Sequence, residues 1–136
     1  MAAFLTFAKK IGDMSKDEHK DKIVKTSNIR ISIGLNEEKM PARINWQAED
    51  NPTHQGVQEC KAMLLSLFDA DHQETLKIDL WTTEMQVNEM DRFVYQSLRG
   101  IAETYFRATN NKDLASDMQQ FVRYFGEQTE ILPKEK

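Results

Sequence analysis

Hydrophobic periodicity changes once along this chain, at residues 81–83. Before that point apolar residues alternate with polar ones; after it they recur at spacings of three and four. A chain built this way lays down strands first and helices last, with no helix between strands to serve as a parallel crossover. The reading is therefore α+β: an antiparallel sheet with helices layered against it.

The alternation is strict enough to set a register. In residues 28–35 it runs through Ile29, Ile31, Ile33 and Leu35, and in residues 42–48 through Ala42, Ile44, Trp46 and Ala48. Folded about the turn at 36–41, Leu35 meets Ala42, Ile33 meets Ile44 and Ile31 meets Trp46. A slip of one residue would set every apolar side chain against a polar one. Residues 49–61 read as a polar connection carrying Asn51, Pro52 and Gly56. A second hairpin follows, pairing Met63 with Leu80, Leu65 with Ile78 and Leu67 with Leu76 around the turn at 69–74. The expectation is one four-stranded antiparallel sheet made of two hairpins, with its apolar face inward and buried, Trp46 included.

Met90, Phe93, Val94, Leu98, Ile101, Ala102 and Tyr105 predict a first helix, with Thr82 and Thr83 as candidate N-caps. Gly100 within it suggests close packing on the sheet. Residues 109–112 break the run. Leu114, Met118, Phe121, Val122 and Phe125 predict a second helix, with Gly126 as a candidate stop and Pro133 as a firm one. Both C-terminal helices are expected to pack on one face of the sheet.

At 136 residues the chain fits one domain, placed at 26–132, with residues 1–25 as an extension and charged linker. Phe4, Leu5, Phe7, Ala8 and Ile11 form either one face of a short helix or a loose tail, and Met14 offers a second start. Lys9 and Lys10 follow the apolar run rather than precede it, which is not the order of a secretory signal. No stretch reaches the roughly 20 apolar residues of a membrane helix. A net charge of −4, from 18 basic and 22 acidic residues, lacks the basic footprint of a nucleic-acid binder. The single cysteine, Cys60, allows neither an internal disulfide nor a cysteine-built zinc site. The expectation is a cytoplasmic protein with no nucleic-acid partner and no membrane insertion.

Catalytic chemistry leaves little trace. His19, His54 and His72 lie in linker, connection and turn, without helical spacing to a partner ligand. Asp69, Asp71, His72 and Glu74 are the densest polar cluster, but such residues populate turns for backbone reasons alone. Cys60 has no local base or electropositive setting, so it reads as a structural thiol. The five glycines are scattered singly, without a phosphate loop. No catalytic residue, metal site or cofactor is assigned. The outer face of the sheet carries Arg30, Ser32, Arg43, Asn45 and Gln47 on the first hairpin. On the second it carries Leu64, Ser66, Phe68, Lys77, Asp79 and Trp81. Leu64, Phe68 and Trp81, rimmed by Lys77 and Asp79, are the candidate partner surface. The alternative is that a loop or the Phe4/Phe7 segment covers them.

Several segments, in order, resemble the gliding-motility-associated protein C (GldC) family. They are Lys25-Thr-Ser-Asn-Ile-Arg-Ile31, Met40-Pro-Ala-Arg-Ile-Asn-Trp46, Asp50-Asn-Pro52, Cys60-Lys-Ala62, Leu67-Phe-Asp69, Leu76-Lys-Ile-Asp-Leu-Trp-Thr82 and Met85-Gln-Val-Asn-Glu-Met90. Gln86 departs from the proline expected before Val87. The resemblance implies a small accessory protein of gliding-motility or envelope machinery, without catalytic residues to carry over. The expectation is an adaptor acting through protein partners, with homo-oligomerisation open. The alternative is a small-ligand-binding domain or cryptic enzyme with a pocket between sheet and helices.

Overall fold

The computed structural model describes residues 21–136 and is α+β. The extension's apolar run, Met14 and His19 lie outside the described residues. The strands are β1 (Ile29–Leu35), β2 (Pro41–Ala48), β3 (Gln58–Cys60), β4 (Ala62–Phe68) and β5 (Thr75–Trp81); the helices are α1 (Val87–Thr109) and α2 (Lys112–Gln128). The chain divides into two compact units: Ser27–Gln86 holds the strands, and Val87–Lys136 the helices.

In the strand unit the two hairpins form as the alternation predicts. Ile31 pairs with Trp46 and Ile33 with Ile44. In the second hairpin Met63 pairs with Leu80, Leu65 with Ile78 and Leu67 with Leu76. At the first turn the register shifts between Gly34 and Leu35, so Leu35 faces Pro41 rather than Ala42. The turn itself imposes this. Asn36 both donates its N–H to Met40 O and accepts Met40 N–H on its side chain, each at 3.0 Å, and Lys39 takes a left-handed φ of 63°.

The single four-stranded sheet is corrected to two sheets, β1-β2-β3 and β4-β5, with five strands in all among the described residues. The additional strand, β3, lies inside the expected polar connection. Asn51 folds that connection by accepting N–H bonds from Thr53 and His54, and Gly56 reverses the chain at a φ of 90°. Gln58–Cys60 can then pair with Trp46–Ile44. Three residues are too few to show an alternation. Beyond β5, Thr83 N–H donates to Pro41 O at 3.0 Å, tying the end of one sheet to the start of β2 in the other.

Burial of the inward face is a second correction. Ile44 is fully buried and Ala48 nearly so, but Trp46 is only half-buried. Ile29, Ile31, Leu35, Ala42, Leu67, Leu76 and Ile78 are all exposed. Alternation says which side of a strand is apolar; it does not say that something covers that side.

Helix α1 starts at Val87, too far along for the candidate N-caps Thr82 and Thr83 to cap it. Thr82 N–H is bound to Lys61 O at 2.8 Å and Met85 N–H closes a turn onto Thr82 O, so this backbone belongs to the sheet's end. Asn110, at a φ of 57°, ends the α1 run, and the Asn111 side chain caps α2 by accepting Leu114 N–H at 3.2 Å. The buried positions of the pair are Ala102, Ala115, Val122 and Gly126, small residues that let helix backbones approach. Of the aromatic residues on the apolar faces predicted for the two helices, Phe93, Tyr105 and Phe125 are half-buried and Phe121 is exposed. Gly126 does not stop α2, which runs on to Gln128. A Cβ there would lie 2.8 Å from Tyr95 Cε2 and 2.9 Å from Leu132 Cδ1, so the glycine serves packing. At Gly100 nothing among the described residues lies within 4 Å of a would-be Cβ, so no close approach among them requires that glycine.

Candidate interaction surface

The β4–β5 hairpin sets its outer side chains in rows: Ala62 with Trp81, Leu64 with Asp79, Ser66 with Lys77, Phe68 with Thr75. Trp81, Leu64 and Phe68 are exposed by 54%, 45% and 71%. Lys77 and Asp79, two apart on one strand face, form an ion pair at 3.4 Å. Leu64 and Trp81 occupy neighbouring rows at the end of the hairpin away from its turn. Phe68 stands at the turn end, roughly 20 Å from Trp81 at strand spacing. The surface is thus an elongated strip: an aromatic at each end and a charged pair between them.

The sequence reading missed the hairpin's tip. Leu67 and Leu76 sit on the supposed inward face, yet they are exposed, as Phe68 is on the other face. Their position next to a polar six-residue turn is the one signal in the sequence that they lie at a projecting end.

That turn explains the polar cluster. Asp69 N–H donates to Glu74 O, and Asp69 Oδ2 accepts N–H bonds from Asp71 and His72 at 3.2 and 2.7 Å. His72 Nδ1 lies 2.7 Å from the same oxygen. The His72 backbone N–H, then the His72 ring, hold the Asp69 carboxyl below the ordinary aspartate range; desolvation opposes them, and the Asp71 N–H adds a smaller lowering. The carboxylate is thereby engaged in closing the turn. Among the described residues no three His, Cys, Asp or Glu side chains come together in an arrangement able to hold a metal ion.

Cys60 pairs with Ile44 on the apolar face and is half-buried. Burial pushes its thiol up, the Ala62 backbone hydrogen bond partly offsets this, and Glu59 raises it further. A thiol held protonated is a poor nucleophile. His54 contributes its backbone N–H to the Asn51 turn.

Among the described residues, hollows open to solvent lie on the helical pair. One of about 340 Å³ is lined by Tyr95, Arg99, Glu103, Val122, Arg123 and Leu132, among others. Its charged residues are matched within the pair: Arg99 with Glu103 at 3.4 Å, and Arg123 with Glu127 at 3.6 Å and with Glu135. Another, about 430 Å³, lies between Phe106 and the first turns of α2. No helix among the described residues is long and apolar enough to cross a membrane.

A family model described as gliding motility-associated protein GldC-like matches residues 41–131, more than half of the chain. The match runs from the start of β2 past the end of α2, and the Lys25–Ile31 segment falls outside it. No curated protein and no solved structure matches.

Proposed function

Because the chain belongs to the gliding motility-associated GldC-like family, we propose that it is a non-catalytic accessory protein of motility or envelope machinery. It acts in the cytoplasm as an adaptor, through protein contact at the outer strip of the β4–β5 hairpin. The observation that carries this reading is the exposure of Phe68 and Trp81 on one strand face, flanking the Lys77–Asp79 pair. Aromatic anchors beside charged groups match the anatomy of protein interfaces. Removal of an anchor typically costs about 2 kcal/mol or more where it is a hot spot.

The test is a pull-down from the native cell with the wild-type chain and a Phe68→Ser/Trp81→Ser variant, beside thermal melts of both. The expected result is loss of a specific partner with the cooperative melt kept. Full partner retention by a folded variant would remove this surface. Loss of folding would instead assign the two aromatics to stability.

A further inference from the structure

Strand β1 is an edge strand of the three-stranded sheet, and among the described residues nothing pairs with its outer side. Its hydrogen-bonding parity is fixed by one contact. Glu49 N–H donates to Asn28 O at 3.2 Å, continuing the register in which Ile29 faces Ala48. Bonded pairs alternate along an antiparallel ladder. Arg30 and Ser32 therefore direct their N–H and C=O groups toward β2. Ile29, Ile31 and Ile33 direct theirs toward the open edge. Exposed edges are usually blunted by Lys, Pro or an early bulge. β1 has neither Lys nor Pro, and its irregularity lies only at its end, between Gly34 and Leu35. Ile29, Ile31 and Leu35 are nonetheless 55%, 37% and 59% exposed.

We infer that this edge pairs with the β1 edge of a second copy of the same chain, antiparallel, about a two-fold axis through Ser32. In that register Ile31 and Ile33 of opposite copies exchange the outward-facing backbone bonds, and Ile29 falls opposite Leu35. Side chains directly opposite point to the same side of a sheet, so the two apolar faces become one continuous face. Arg30 falls opposite Gly34, so the like charges of the two copies do not meet. Within the strand, a register that sets apolar against apolar and keeps the two Arg30 side chains apart is a property of this edge with itself. Seven residues per copy is small beside the roughly 20–30 a side of a standard interface, so the dimer is a weak, transient one.

Sedimentation of the full chain should show the 15.8 kDa monomer giving way to twice that mass as concentration rises through the micromolar range. Ile31→Pro removes an N–H that the β1–β2 ladder does not use, and Pro is tolerated at such edge positions. It should raise the dimer dissociation constant at least tenfold with the circular dichroism spectrum kept. A cysteine-pairing test holds even if that variant fails to fold. In a Cys60→Ser background, Ser32→Cys places two thiols across a non-bonded pair with Cα atoms about 4.5 Å apart, within disulfide reach. It should cross-link under mild oxidation. Arg30→Cys alone should not, whereas an equimolar mixture of Arg30→Cys and Gly34→Cys should. A chain that stays monomeric throughout, or cross-linking at position 30 alone equal to that at 32, overturns the inference.

Discussion

Gly100→Ala and Gly126→Ala make the same chemical change in two helices and should have opposite effects. In a helix interior, alanine is favoured over glycine by about 0.5–1 kcal/mol. At Gly100 the new methyl meets nothing within 4 Å among the described residues, so the gain should appear in full. At Gly126 the methyl would stand 2.8 Å from Tyr95 Cε2, 2.9 Å from Leu132 Cδ1 and 3.0 Å from Leu132 Cγ. Ordinary carbon contacts lie near 3.5–4.0 Å. Both neighbours are held: Tyr95 is on α1, and Leu132 is anchored by its N–H to Gly126 O at 3.0 Å. Relief requires a shift of the α1–α2 seam or of the C-terminal segment, and such overpacking costs about 1–3 kcal/mol. The propensity gain offsets only part of this, so the two variants should differ by about 1–3 kcal/mol with Gly126→Ala the less stable. Urea unfolding followed by helical circular dichroism measures the difference. If Gly126→Ala proves as stable as Gly100→Ala, the close helix seam described for α2 is wrong.

Ile44 is fully buried while Ile29 on the neighbouring strand is not. Ile44→Ala should therefore cost about 2–5 kcal/mol and Ile29→Ala, measured at concentrations where the chain is monomeric, less than about 1 kcal/mol; equal costs would place the core elsewhere. The Asp69 carboxyl is depressed in the folded state, so its contribution to the β4–β5 turn is present above the ordinary aspartate range and is lost as pH falls through the lower folded value. A carbon-detected NMR titration should give Asp69 a midpoint below that of an unfolded aspartate, and Asp69→Ala should shrink the loss of stability on acidification; a midpoint at or above the unfolded value would contradict the turn geometry. The Cys60 thiol, raised by burial, should react with iodoacetamide more slowly than a free thiol at pH 7, and a rate equal to that of glutathione would refute the burial assigned to it.

The sequence by itself determined what local spacing and volume can determine. Alternation in Ile31, Ile33, Ile44 and Trp46, and again in Leu65, Leu67, Leu76 and Ile78, set both hairpin registers, because a one-residue slip inverts every side chain. Spacings of three and four placed both helices, and the Asn110–Asn111 break between them follows from the left-handed and capping conformations that asparagine tolerates. The ordered segments from Met40 to Met90 carried the family. Tertiary structure decided the rest. A three-residue strand such as β3 exists only because the Asn51 turn and Gly56 return it to β2, a pairing with no local periodicity of its own. Neither candidate N-cap, Thr82 or Thr83, caps α1, which starts at Val87, because the sheets claimed the threonine backbone. Gly126 became a packing residue because Tyr95 and Leu132 converge on it. Exposure of Ile29, Leu67 and Leu76 was not legible either, whereas the outward placing of Leu64, Phe68 and Trp81 followed from the alternation. Apolar period reports the side of a strand that water disfavours; whether anything lies against that side depends on residues far away along the chain.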